Sequence, residues 1–140
     1  MNEKQQFFDD FNKGLHRLGK IMMALTLLLL VGVPFVIAMM NGVSIDGKGF
    51  LSGMLSIGFL YIAIGVVEFL IYVPMLGAGG SYLAFVTGNV TNMKIPCAMN
   101  ARDIAGTEVG TPENEIVSTI SIATSAIVTT LVIEIGRAHV

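Results

Sequence analysis

A short polar stretch between residues 87 and 92 carries the side chains with the clearest capacity for chemistry. Hydroxyl and amide side chains cluster there, and apolar residues flank the stretch on both sides; its polar members are Thr87, Asn89, Thr91 and Asn92. Their oxygens, with released backbone carbonyls, are typical ligands for Na⁺ in membrane proteins. We therefore predict a Na⁺ and solute site at these residues and Gly88, and we expect no other cofactor.

A membrane helix interrupted at this stretch would supply the rest of such a site. The first half would expose backbone carbonyls at its C-terminal end, and the second half would expose amides at its N-terminal end. The carbonyl end suits a cation, and the amide end beside Lys94 suits a carboxylate or another anion. Gly88 provides the backbone freedom for the interruption, and Pro96 suits the start of the second half. The alternative is an exposed loop outside the membrane.

Two helix faces could complete the site. Glu68 shares one face with small and aromatic residues, namely Gly58, Tyr61, Gly65 and Tyr72. An unpaired carboxylate this deep in a membrane costs at least ~2.5 kcal/mol, so Glu68 should face protein or water. Ser121 and Ser125 belong to a second polar face, with Ser118 and Thr129. We predict that Glu68, Ser121 and Ser125 line the cavity; the alternative for both faces is helix packing.

The composition indicates which elements must position these residues. Hydrophobic residues make up 54% of the 140 residues and charged residues only 13%, whereas soluble domains carry about 25% charged residues. The apolar residues form long uninterrupted blocks, as in helices that span a bilayer. This composition excludes a nucleic-acid binder, a disordered protein and an ordinary cytosolic enzyme. The single cysteine excludes an internal disulfide. The sequence shows no nucleophile–base pair that would indicate an enzyme.

The apolar blocks divide the chain into segments. Residues 77–105 contain no uninterrupted apolar run of spanning length, so a re-entrant hairpin or a broken helix fits them better than a plain span. Thr111 and Pro112 have the residue types of a helix start. The predicted segments are an amphipathic cytoplasmic helix (1–20), one membrane domain (21–135) with spans at 21–40, 51–73 and 116–135, and a tail (136–140) whose natural origin the sequence leaves open.

The predicted fold is an all-α integral membrane protein with three transmembrane helices and a re-entrant hairpin; four full spans are the alternative. In the hairpin arrangement six basic residues lie inside and two, Lys48 and Arg137, lie outside; the six are Lys4, Lys13, Arg17, Lys20, Lys94 and Arg102. Four spans would give five inside and three outside. The positive-inside rule therefore favours the hairpin, with the N-terminus in the cytoplasm and the chain in the cell (inner) membrane.

The segment from Gly88 to Met99, with the sequence GNVTNMKIPCAM, resembles part of the "gate" membrane proteins, which include nucleoside-recognition and spore-maturation proteins. In that family a Gly-Asn pair with a nearby Thr precedes a Lys-Ala-Met-like stretch. The positions of Lys94 and Pro96 depart from the family's spacing. The resemblance implies a transport-related subunit that pairs with a second copy or a partner. It points to Gly88, Asn89 and Thr91, and it names no substrate.

Together these features predict a subunit of an ion-coupled secondary transporter for a small solute, working by alternating access. Three spans and a hairpin are too few to enclose a solute path, so we expect a homo-oligomer or a second membrane subunit. Lipid is the other expected partner, and nucleic acid is not expected. The alternative function is a non-transporting assembly or regulatory subunit. The residues leave the coupling ion open between Na⁺ and a proton carried through Glu68.

Overall fold

The computed structural model describes residues 3–138, with the side chains of residues 5–138. The outer residues of the predicted N-terminal helix and tail, and the Lys4 side chain, lie outside this range. The described chain is helical and contains no strand. Its helices are α1 (Glu3–Met40), α2 (Gly47–Thr87), a π-helical turn (Val90–Lys94), α3 (Ile95–Ala105) and α4 (Pro112–Arg137).

Three of these helices, α1, α2 and α4, are long and apolar enough to cross a membrane. The structure therefore confirms the prediction of an all-α chain with three helices that are long and apolar enough to span a membrane. The helices are longer than the predicted spans. The polar segment 3–20 continues into the first apolar block as one helix. α2 continues beyond Pro74 to Thr87, with non-helical backbone at Gly77.

Local sequence signals explain where the helices begin and end. Asp46 accepts hydrogen bonds from the amides of Lys48 and Gly49, both at 3.1 Å, and so caps the first turn of α2. Thr111 caps α4 by accepting a bond from the Asn114 amide at 3.2 Å, and Pro112 occupies the first turn, as the sequence predicts. α3 ends at Gly106, whose left-handed backbone (φ 64°) suits glycine.

The chain divides into two compact units, which we describe separately. The second unit runs from Ala24 to Ile71 and joins the apolar halves of α1 and α2 through the turn after Met40. Near this turn the rings of Phe35 and Phe50 meet edge to face, 5.7 Å apart. The large apolar side chains of this unit are exposed in the isolated chain, as expected of surfaces that contact lipid or another subunit.

The first unit comprises the described residues up to Met23 and from Tyr72 onward. Its apolar core is small and consists of Leu76, Ala84, Ala98 and Ile122. Glycine permits the close approach of helices around this core: a Cβ at Gly79 would lie 2.6 Å from the Thr119 hydroxyl and 2.8 Å from Leu15. The start of α1, the end of α2 and the start of α4 therefore meet at Gly79.

Candidate functional site

The interruption predicted between residues 87 and 92 is present, at Gly88 and Asn89. Both residues adopt left-handed backbone conformations, with φ of 70° and 52°. The Asn89 carbonyl then accepts the amides of Met93 and Lys94, at 3.2 and 3.3 Å, and the π-helical turn leads into α3. A left-handed Asn is less costly than most other residues because its short polar side chain tolerates this conformation.

The predicted oxygen ligands at this interruption have different surroundings. Thr87 donates its hydroxyl to the Leu83 carbonyl at 2.6 Å, and the Thr91 hydroxyl lies 3.1 Å from that of Tyr72. The side chains of Thr87, Asn89, Thr91 and Asn92 are exposed on this chain. The structure thus brings them to one short stretch without enclosing it, and enclosing an ion there would need groups from outside the described chain.

Ser121 and Ser125, predicted to line a cavity, lie together on a groove of α3 and α4. The groove has a volume of about 470 Å³ and is also lined by Met93, Cys97 and Thr129. The Ser121 hydroxyl is buried and has no hydrogen-bond partner. An unpartnered hydroxyl beside an open groove is a polar group that a bound ligand could satisfy.

Lys94 lies next to Ser125. Its side chain is only 2% exposed, and its ammonium group lies 3.4 Å from the Ser125 hydroxyl. Among residues 5–138, no carboxylate lies within 4.0 Å of Lys94. A buried ammonium without a counter-ion costs free energy, which an anionic ligand would recover.

A second interruption, absent from the predicted site, lies inside α2 at Gly77. Gly77 has φ 74° and ψ 178°, far from helical values, and Pro74 precedes it by one turn. This conformation is confined almost entirely to glycine. α2 is therefore two helical segments, and its backbone groups at Gly77 need partners from elsewhere.

Two neighbouring residues of α4 supply those partners. One carboxylate oxygen of Glu115 accepts the amides of Ala78 and Gly79, at 2.9 and 3.3 Å. Asn114, which is 2% exposed, donates its side-chain amide to the Met75 carbonyl at 3.1 Å. Asn114 and Glu115 thus bind the two sides of the interruption, and we call this pair with its three bonded backbone groups the α4 clamp.

A cavity of about 130 Å³ lies beside the α4 clamp. Its lining includes Gly77, Thr111, Glu115 and two asparagines, Asn12 and Asn114. The side-chain oxygens of both asparagines are buried and have no hydrogen-bond partner. The orientation of the Asn114 amide is fixed, since only its nitrogen can donate to the Met75 carbonyl.

The sequence alone does not single out Gly77, Asn114 or Glu115 as members of a site. The usable signal was Pro74 followed three residues later by Gly77 within an apolar helix, since both residues weaken helical hydrogen bonding. Pairing that interruption with Asn114 and Glu115 required knowledge of the tertiary packing.

Glu68, the remaining predicted site residue, lies in the part of α2 that belongs to the second unit, so its role in the site stays a prediction. At the N-terminal end of the first unit, Lys13, Arg17 and Lys20 line an open groove with His16 and Tyr82. The His16 ring lies 3.1 Å from the Tyr82 hydroxyl. Basic surfaces of this kind attract anionic lipid headgroups.

Comparisons of the chain with protein-family models, with curated proteins and with solved structures give no match. The resemblance of residues 88–99 to the gate proteins stays a prediction.

Proposed function

We propose that this protein is a subunit of an ion-coupled secondary transporter for a small solute. The observation that carries the proposal is the interrupted helix α2, which has the length and composition of a membrane span and a non-helical Gly77. Its interruption is bonded by the polar pair Asn114 and Glu115. In many transporters, discontinuous helices of this kind form the ion and substrate sites around which alternating access occurs.

The lengths of the helices support a re-entrant hairpin between residues 77 and 105. The helical segment 78–87, between the interruptions at Gly77 and Gly88, is about 15 Å long at 1.5 Å per residue. α3 has 11 residues and is of similar length. Each is about half of the ~30 Å hydrocarbon thickness, as expected of two arms that enter and leave the same side of a bilayer.

The groove beside Lys94 suits the solute. Its hydroxyl groups can bind polar atoms, and the buried Lys94 ammonium lacks a carboxylate partner within the described side chains. We therefore propose a solute with an anionic group, such as a carboxylate. The exposed oxygens of residues 87–92 would form a Na⁺ site only when a second copy or a partner subunit covers them, which agrees with an oligomer.

The proposed orientation places the N-terminus in the cytoplasm and the chain in the cell (inner) membrane. The basic groove formed by Lys13, Arg17 and Lys20 supports this orientation, because cytoplasmic segments carry an excess of Lys and Arg. Anionic headgroups of the cytoplasmic leaflet would bind there.

The proposal can be tested with the purified protein, together with any subunit that co-purifies in mild detergent. Thermal unfolding and uptake into liposomes would be measured for a panel of small carboxylates, amino acids and nucleosides, with and without a Na⁺ gradient. We expect one class of anionic solute to raise the unfolding temperature and to accumulate only with the gradient. Asn89→Ala should weaken the Na⁺ dependence, and Lys94→Met should abolish solute binding, whereas the exposed-site control Lys20→Met should retain both.

The competing function is a non-transporting assembly or regulatory subunit. It predicts no solute-dependent stabilisation and no uptake by the wild-type protein. That outcome would contradict the transporter proposal, and the exposed apolar surface of residues 24–71 would then be examined as a docking surface for other membrane proteins.

A further inference from the structure

The cavity beside the α4 clamp has the chemistry of a cation site. The oxygens of Asn12 and Asn114 are buried without a partner, and both residues line the cavity. Asn114 is 98% buried, since its exposed fraction is 2%. Polar groups so deeply buried are almost always satisfied by protein, water or an ion, so these two oxygens call for a donor or a cation.

The donors of the α4 clamp and of its helix cap are already used. The amides of Ala78 and Gly79 donate to Glu115, and the amide of Asn114 donates to Thr111. The side-chain amide of Asn114 donates to Met75, and Pro112 carries no N–H. The clamp therefore leaves two oxygen acceptors beside the cavity without a donor, and such acceptors favour a cation over an anion as the occupant.

The charge of the cavity points in the same direction. Among residues 5–138, Glu115 carries the only carboxylate in the cavity lining, and no basic side chain forms an ion pair with it. One negative charge is balanced by one monovalent cation, whereas Ca²⁺ sites usually combine several carboxylates. The volume of 130 Å³ has room for about four water-sized groups at ~30 Å³ each, enough for a small ion and its remaining waters.

We infer that this cavity binds Na⁺, with Asn12, Asn114 and Glu115 as side-chain ligands. This site is distinct from residues 87–92. As the coupling site of a transporter the inference rests on the proposed function, although Na⁺ binding itself is argued from the cavity alone. Because Glu115 and Asn114 also hold the two sides of the Gly77 interruption, the ion would bind to the groups that fix the bend in α2.

The test is the unfolding temperature of the full chain in detergent, measured in NaCl, KCl and choline chloride at constant ionic strength. A ligand that binds only the folded protein stabilises it in a saturable manner. We expect Na⁺ to raise the unfolding temperature saturably, and K⁺ and choline to have little effect. Binding of ²²Na⁺ to the purified protein provides an independent measurement of affinity.

Two variants separate binding from folding. Asn12→Ala removes an oxygen that takes no part in the α4 clamp, and Glu115→Gln removes the charge but keeps an oxygen that can accept the amides of Ala78 and Gly79. Each should raise the Na⁺ concentration at half-saturation by about tenfold or more, the effect of losing about 1.4 kcal/mol of binding free energy. Their unfolding temperatures in choline should stay close to wild type. Asn100→Ala and Glu108→Gln, at exposed positions, are the matched controls and should leave Na⁺ binding unchanged.

Equal unfolding temperatures in Na⁺, K⁺ and choline would overturn the inference and mean that the cavity holds water only. Unchanged Na⁺ binding in both Asn12→Ala and Glu115→Gln would also overturn it and would place the ion elsewhere. If Na⁺ binding is lost in these variants but the wild type moves no solute, the cation site stands and the transporter proposal fails. If Na⁺-driven uptake is normal in both variants, the transporter proposal stands and the role of the cavity as its coupling site fails.

Discussion

At the scale of single residues, Gly77 is a position where substitution by any other residue should be poorly tolerated. Its φ of 74° and ψ of 178° suit glycine almost alone, and a Cβ there would lie 2.6 Å from Cγ of Glu115. Alanine at this position would therefore strain the backbone and displace a member of the α4 clamp.

We predict that Gly77→Ala lowers the free energy of unfolding by about 2–4 kcal/mol, combining backbone strain with a weakened clamp. Thermal or denaturant unfolding in detergent would measure the loss. Gly14→Ala is the control, because nothing lies within 4 Å of its Cβ position and it lies within helix α1. It should stabilise the protein slightly, by about 0.5–1 kcal/mol. A Gly77→Ala variant as stable as Gly14→Ala would contradict this account of the interruption.

The sequence predicts some site residues well and others not at all, for physical reasons. Gly88 and Thr111 were predictable because a left-handed turn and a helix cap depend on local residue types. The role of Asn114 was not predictable, because its bond to Met75 joins positions 39 residues apart. Lys94 was identified only as a neighbour of the polar stretch, and its burial depends on the packing of α4.

At the scale of helices, the hydropathy of the chain located the apolar blocks but not the ends of the helices. α1 continues from the polar segment into the first apolar block because no glycine or proline cluster separates them. The first segment of α2 continues past Pro74 as far as the Gly77 interruption, because a proline removes one hydrogen bond without ending the helix in a membrane. The interruption at Gly88 and Asn89 was predicted, whereas the one at Gly77 required its partner residues on α4.

The first turn of α4 carries Asn114 and Glu115, so its cap should control the geometry of the clamp. Thr111→Ala removes the oxygen that accepts the Asn114 amide. We predict a loss of about 1 kcal/mol in the free energy of unfolding. Hydrogen exchange should also increase at the amides of Ala78 and Gly79, since the clamp would open more often.

Thr111→Ser is the matched variant, because serine keeps the hydroxyl group and caps helices equally well. It should restore both stability and exchange protection. Two results would show that the cap does not position the clamp. One is faster hydrogen exchange at Ala78 and Gly79 in Thr111→Ser, and the other is exchange at these amides in Thr111→Ala that is no faster than in the wild type.

At the scale of the whole molecule, three helices of spanning length and a basic N-terminal segment make the orientation testable. In a Cys97→Ser background, single cysteines would be placed at Gly14, in the N-terminal segment, and at Val43, in the turn between α1 and α2. Both positions are exposed. We predict that an impermeant maleimide applied to whole cells labels Val43→Cys at once and Gly14→Cys only after the membrane is permeabilised. The opposite pattern would place the N-terminus outside.

The α4 clamp also has a consequence for how the protein is made. At the Gly77 interruption, the Ala78 amide receives its partner Glu115 from a position 37 residues later in the chain. At a synthesis rate of about 5–20 residues per second, Glu115 is synthesised about 2–7 s after Ala78. The amides of α2 at the interruption have no carboxylate partner until then. During this interval the nascent chain holds a bend with unsatisfied backbone groups beside the translocation channel. α4 therefore supplies the hydrogen-bond acceptor that α2 lacks at its interruption. Ribosomes stalled before Glu115 should leave a chain that membrane proteases degrade.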